Sequence, residues 1–217
     1  MFKREYLKLY FIAGTQDFAD KNNPQLELYK CLEQALTAGI TCFQFREKGE
    51  KSLSNSGDIF ETAMQCRQLC AKHNIPFVID DNLELAKKVQ ADGIHIGQKD
   101  NFLAVIKTVQ EEKLDLFIGL SVNTVEQALQ AEKLAVDYLG VGAIFTTSSK
   151  ADATEAKGVE FLLEIKSNIK NTKPIVAIGG INEENCRLVR ATNCDGIAVI
   201  SAISKSKDVQ KTVQTLL

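Results

Sequence analysis

Three carboxylates on neighbouring segments carry the first chemical signal in this chain. Val78-Ile79-Asp80-Asp81 ends a short apolar run in two adjacent acids, and Gly93-Ile94-His95-Ile96-Gly97-Gln98-Lys99-Asp100 ends the next in glycine, glutamine and a third acid. Carboxylates at the tips of adjacent strands are hard oxygen donors of the kind that hold magnesium. That ion takes one or two protein acids and completes its shell with water and phosphate oxygens. Gln44-Phe45-Arg46-Glu47-Lys48 sets an amide and two cations at alternate positions, on one face of an extended segment. Such a set either runs out into solvent or grips a diphosphate, arginine by its fork and lysine as a point charge.

Other segments suit an anion. Ile178-Gly179-Gly180-Ile181-Asn182 and Ile200-Ser201-Ala202-Ile203 each pass from an apolar run into a helical pattern, where backbone N–H groups and the helix dipole attract negative charge. A bare Gly-Gly also serves any tight turn. The hydroxyl-rich run Thr146-Thr147-Ser148-Ser149-Lys150-Ala151-Asp152 reads either as a loop that closes over a diphosphate or as a polar linker. His95 falls inside a strand pattern with no nucleophile beside it, and reads as a satisfied core or rim histidine.

These residues need a scaffold that gathers strand ends. Short apolar runs predict strands at Leu9–Ala13, Cys42–Arg46, Phe77–Asp80, Gly93–Ile96, Phe117–Leu120, Tyr138–Val141, Ile175–Ile178 and Gly196–Ile200. Helical periodicity predicts helices near 25–38, 55–73, 82–89, 101–112, 124–135, 159–169, 182–191 and 207–216, with Asn82, Thr124 and Asn182 at N-cap positions. Strand patterns that barely alternate belong to a parallel sheet covered on both faces. Eight strand–helix units in this order predict an α/β fold: one single-domain (β/α)8 TIM barrel over residues 1–217. An open doubly wound sheet is the alternative, and the strand count favours the barrel. In a barrel every polar segment named above emerges at the C-terminal mouth, where such folds carry their sites.

Composition bounds the rest. A chain of 217 residues with formal net charge −2 has no global attraction for nucleic acid or an anionic membrane, so an anion site must be local. The apolar run at the N-terminus is too short for a signal peptide, and no stretch approaches a membrane span, so a soluble, cytoplasmic protein is expected. Six cysteines without a Cys-x-x-Cys pair, alongside two histidines, read as buried reduced thiols rather than a zinc site or a disulfide framework.

Taken together, these segments resemble the thiamine-phosphate synthase family across nearly the whole chain. The carriers are Gln44-x-Arg46-x-Lys48, Ile79-Asp80-Asp81 with Leu85-Ala86, Ala91-Asp92-Gly93-Ile94-His95-Ile96-Gly97-Gln98-x-Asp100 and Gly119-x-Ser121. Val141-Gly142 with Thr147-x-Ser149-Lys150, Ile178-Gly179-Gly180-Ile181 and Ile200-Ser201-Ala202-Ile203 complete them. The resemblance implies a transferase that joins hydroxymethylpyrimidine diphosphate to hydroxyethylthiazole phosphate, with pyrophosphate leaving first and the thiazole nitrogen capturing the carbocation. It implies Asp81 and Asp100 as magnesium ligands and Gln44, Arg46, Lys48, Asp80, Ser121 and Lys150 around the pyrimidine diphosphate. Arg46, Ser121 and Lys150 would be catalytic, with Lys150 on the leaving pyrophosphate. Thr147, Ser149, Gly180, Ile200 and Ser201 would hold the thiazole phosphate.

The chain departs from the family pattern at Asp80 (commonly Asn), Asn123 (commonly His), Ser149 (often Thr) and Ala143 (commonly Pro). Asp80 sets a negative charge close to a diphosphate, which weakens binding unless a cation screens it. The small-molecule substrates are the partners implied, with neither nucleic acid nor membrane, and a homo-oligomer is compatible with the sequence. A thiazole tautomerase of the same superfamily and a non-catalytic thiamine-phosphate-binding barrel are the alternatives. Neither accounts for a full set of diphosphate contacts.

Overall fold

In the computed structural model, which describes residues 1–147, 149, 155–170 and 173–217, parallel strands close into a barrel that pairs in chain order. The strands are β1 (Leu9–Ala13), β2 (Cys42–Phe45), β3 (Phe77–Asp80), β4 (Gly93–Ile96), β5 (Phe117–Val122), β6 (Tyr138–Val141), β7 (Ile175–Ile178) and β8 (Gly196–Val199). β8 returns to β1 through Leu9 opposite Ile197, which leaves no free edge. Among the described residues the helices are α1 (Pro24–Ala38), α2 (Ser56–Lys72), α3 (Leu83–Lys88), α4 (Phe102–Glu111), α5 (Val125–Ala131), α6 (Glu160–Asn168), α7 (Cys186–Arg190), α8 (Ser201–Ser204) and α9 (Val209–Leu216). The (β/α)8 expectation is met. None of these helices is long and apolar enough to cross a membrane.

Period-two alternation splits each strand between two cores. Outward residues such as Phe11, Phe43, Phe77, Ile94 and Leu139 pack beneath the helices, with the Phe11 and Phe43 rings 5.5 Å apart. Inward residues Tyr10, Ile12, Cys42, Val78, Phe117, Tyr138, Val176 and Ala198 fill the barrel. Each fully buried Leu, Ile or Phe contributes about 1.5–3 kcal/mol. The helices follow from the same patterning. α1 buries Leu28, Cys31, Leu32, Ala35 and Leu36 on one stripe, starts at Asn23, whose side chain accepts from Leu26 N, and stops at left-handed Gly39.

The N-terminal end of the barrel is closed. Phe2 stacks on Tyr138 at 5.7 Å and tilts against Phe117 at 5.5 Å, so the first residues plug that mouth. A repeated clamp braces the same end. Asp92, just before β4, takes Phe77 N at 2.8 Å; Asp137, before β6, takes Ile118 N at 2.7 Å; Asp195, before β8, takes Ile175 N at 2.7 Å. Thr41, before β2, does the same with Leu9 N at 2.8 Å. In each case the clamping residue also donates its own N–H to the carbonyl of the residue it holds. Each even strand is thereby tied to the odd strand before it.

Several predicted boundaries are corrected. β2 ends at Phe45, so Arg46 starts the loop, and β8 ends at Val199, so Ile200 caps α8. β5 runs on to Val122 because Ser121 still pairs with β6. Asn82 and Thr124 do cap α3 and α5, accepting from Leu85 N and Gln127 N. Asn182 instead caps a turn through Glu184 N and Asn185 N, and α7 begins later, at Cys186. The cysteines are free thiols, and burial pushes that of Cys31 up to about 12.

Candidate active site

Strand alternation that points Gln44 and Asp80 into the barrel also carries Arg46 inward at the C-terminal mouth. There Arg46 Nε lies 3.4 Å from Asp80 Oδ2, with both side chains about nine-tenths buried. Lys48 stands further out and bridges two acids, Asp81 Oδ2 at 2.7 Å and Asp100 Oδ1 at 3.5 Å. The three carboxylates and two cations named from the sequence thus meet at one place. A cleft of about 190 Å³ opens on them and is lined also by Gly97, Gln98, Ser121, Asn123, Gly142, Thr147 and Gly179.

Local structure explains the aim of each acid. Asp81 has φ +58°, a left-handed conformation that Asp tolerates better than most residues. The twist turns its carboxylate over the end of β4, where Oδ1 accepts from Gly97 N at 2.9 Å. Burial pushes the Asp81 carboxyl up, but the Lys48 ammonium and the Gly97 N–H outweigh it and hold the group below the usual carboxylate range. Gly97 is where the two acids converge. A Cβ there would come within 2.5 Å of Asp100 Oδ2 and 3.7 Å of Asp81 Oδ1.

The loop bearing the cations is stapled by Glu47, which the sequence reading passed over. Its carboxylate accepts from Thr15 N at 2.9 Å, Thr15 Oγ1 at 2.5 Å and Leu53 N at 2.7 Å. Gln16 Nε2 adds a 2.7 Å bond to the Arg46 carbonyl. Gln44 is buried, and its Nε2 has no hydrogen-bond partner among the described residues. Gln98 Nε2 donates to the Ser121 carbonyl at 2.5 Å. His95 is indeed satisfied, as its strand position implied. Its ring nitrogens lie 3.0 Å from Ser121 Oγ and from the Tyr138 hydroxyl, so the histidine touches a cleft residue.

A second, smaller pocket adjoins the cleft and shares Thr147, Ile178 and Gly179 with it; its wall also includes Ser149, Gly180, Ile200 and Ser201. Gly179 and Gly180 have φ +104° and +64°. A Cβ on Gly180 would stand 2.4 Å from the Thr146 carbonyl oxygen, so the turn is closed to other residues. Ser149 Oγ and Ser201 Oγ lie 3.3 Å apart across the pocket. Ser148, Lys150, Ala151 and Asp152 of the hydroxyl-rich run lie outside the described residues.

Asp81 and Asp100 bring carboxylate oxygens to either side of the Lys48 ammonium. They are hard oxygens facing a common point, and an ammonium already bridges them. Among the described residues no group of three or more His, Cys, Asp or Glu side chains could hold a metal ion.

Comparison with known proteins follows this geometry. Residues 9–203 match the family model described as thiamine monophosphate synthase. The thiamine-phosphate synthase of Actinobacillus succinogenes is 48% identical over 216 residues, spanning 98% of this chain and 96% of that one. That of Listeria welshimeri is 48% identical over 216 residues, spanning 99% and 100%. Among solved structures, thiamine phosphate pyrophosphorylase from Pyrococcus furiosus superposes with a TM-score of 0.81 at 36% identity, covering 98% of this chain and 95% of its own.

Proposed function

The chain belongs to the thiamine monophosphate synthase family, and from that premise we propose a magnesium-dependent condensation of hydroxymethylpyrimidine diphosphate with hydroxyethylthiazole phosphate. The products are thiamine phosphate and pyrophosphate. One observation carries this reading: a mouth of paired cations and acids opens beside a glycine-walled pocket and shares Thr147 and Gly179 with it. Two anionic substrates need two anion sites within reach of one another, and this arrangement supports that need.

The chemistry asks for charge control and placement rather than a general base. The bond between the pyrimidine methylene carbon and the diphosphate oxygen breaks with its electrons on the leaving group. The thiazole nitrogen then gives its lone pair to the methylene cation. Arg46 and Lys48 would balance the diphosphate charge, and Lys150, which lies outside the described residues, would do the same. Asp81 and Asp100 would hold magnesium, which supplies further neutralisation of the diphosphate. Gln44, whose buried Nε2 has no partner among the described residues, and Ser121 with Asp80 would orient the pyrimidine. Thr147, Ser149, Gly180, Ile200 and Ser201 would seat the thiazole phosphate on hydroxyls and backbone N–H groups.

The test is direct: incubate purified protein with both substrates, first with magnesium and then with chelator, and measure thiamine phosphate and pyrophosphate. Stoichiometric, magnesium-dependent formation of both is expected. A folded protein that binds thiazole phosphate yet forms neither product would refute the synthase reading in favour of a tautomerase or a sensor.

A further inference from the structure

Four polar side chains stand in single file inside the barrel. The Tyr10 hydroxyl lies 3.0 Å from that of Tyr138, the Tyr138 hydroxyl 3.0 Å from His95 Nδ1, and His95 Nε2 3.0 Å from Ser121 Oγ. Both tyrosines are fully buried, whereas Ser121 lines the cleft. Two glycines make the room. A Cβ on Gly119 would fall 2.2 Å from the Tyr138 ring and 2.5 Å from His95 Nδ1, and one on Gly140 would fall 2.8 Å from the imidazole.

The file has a direction. A neutral imidazole donates from one nitrogen and accepts at the other, and each phenol has one proton to give. Burial pushes both phenols well above their ordinary value, so each keeps that proton. With protons pointing outward, Tyr10 donates to Tyr138, Tyr138 to Nδ1, and Nε2–H to Ser121 Oγ. The serine proton then faces the cleft. With protons pointing inward, Ser121 donates to Nε2 and the last proton, on Tyr10, is left at the closed end. There it meets the Cys42 thiol, a weak acceptor. A buried donor without a good acceptor is costly, so the outward direction is preferred.

We infer that Tyr138, acting through His95, is a positioning residue that fixes Ser121 as a hydrogen-bond donor toward the pyrimidine diphosphate. The diphosphate oxygens and ring nitrogens of that substrate can only accept, so a donating serine is matched to them. The inference rests on the assignment of Ser121 to this substrate under the proposed function.

The wild-type protein supplies the first test. It has two histidines, so ¹⁵N spectra of the imidazoles, with His73→Gln to identify the other signal, report the His95 tautomer. A proton on Nε2 is expected; a proton on Nδ1, or on both nitrogens, overturns the inference. Kinetics supply the second. Tyr10→Phe and Tyr138→Phe delete the same phenol–phenol bond, but the second alone cuts the link to His95. Tyr138→Phe should raise KM for the pyrimidine diphosphate about fivefold and Tyr10→Phe less than about twofold, and Tyr138→Phe should add nothing in a Ser121→Ala background. Equal effects of the two tyrosine variants, or an undiminished Tyr138→Phe effect without the serine, would mean mere packing and overturn the inference. If Ser121→Ala alone leaves KM unchanged, the substrate assignment fails, and the inference with it. A normal Ser121→Ala loss beside an Nδ1 proton refutes the inference alone. Should Tyr138→Phe fail to fold, the wild-type tautomer still decides.

Discussion

Removing the Glu47 carboxylate should loosen the loop that carries the two cations, by an amount the structure sets. Glu47 accepts three hydrogen bonds, from Thr15 N, Thr15 Oγ1 and Leu53 N, at 2.9, 2.5 and 2.7 Å. Bonds to a charged group contribute about 1.5–3 kcal/mol each, and Glu47 is only partly buried, so the lower end applies. Glu47→Ala should therefore cost about 4–5 kcal/mol. Glu47→Gln keeps one acceptor but turns an NH₂ toward a backbone N–H, and should cost about 2–3 kcal/mol. For a chain of this length 1 kcal/mol is about 2 °C of melting temperature, which predicts drops of about 10 °C and about 5 °C. The assay is calorimetric melting of both variants alongside steady-state kinetics. KM for the pyrimidine diphosphate should rise in the same order, because Arg46 and Lys48 flank the staple in sequence. Melting within about 1 °C of wild type would refute the energetics. Full destabilisation with an unchanged KM would refute the link between staple and grip.

Three further outcomes follow from the site. Asp80→Asn relieves the pairing that holds Arg46 at 3.4 Å, so affinity for the diphosphate should rise severalfold in the kinetics while urea stability falls by about 3–5 kcal/mol. Asp81→Asn should abolish magnesium-dependent product formation with circular dichroism unchanged. Because the folded Asp81 carboxyl titrates below its unfolded value, its stabilising contribution is full above about pH 4 and is lost as pH falls through the folded value; the melting difference between wild type and Asp81→Asn should be flat above that point and shrink below it. Gly180→Ala puts a Cβ 2.4 Å from the Thr146 carbonyl at a φ of +64°, and calorimetric titration should find thiazole phosphate affinity reduced at least about tenfold.

Much of this was legible in the residue order, for identifiable reasons. Strands such as Phe77–Asp80 and Gly93–Ile96 are short, largely apolar and bounded by turns, so their limits are local facts. The strand-end acids and cations are visible because a parallel barrel delivers the C-terminal end of every strand to the same mouth. What escaped notice depends on distant partners. Glu47 acts on Thr15, and His95 acts between Tyr138 and Ser121, pairs that no local pattern announces. Asn182 resembles a helix cap in sequence although a capping turn precedes α7, because caps of turns and helices use the same chemistry. One missed signal was available: an aspartate stands immediately before Gly93, Tyr138 and Gly196, each the first residue of an even strand.

Those clamps at the closed end divide the barrel into four two-strand modules with seams of unequal strength. Within a module, Thr41, Asp92, Asp137 or Asp195 binds one strand start to the other, whereas among the described residues no such clamp spans the α2–β3 or α4–β5 connection between modules. The molecule therefore has preferred cut points. New chain termini placed between α2 and β3 sever no clamp and lie at the opposite pole from the cleft, while termini between α3 and β4 interrupt the segment holding Asp92. A permuted or split version of this enzyme should be assembled from such pairs, and recombination between relatives should succeed where it exchanges them whole.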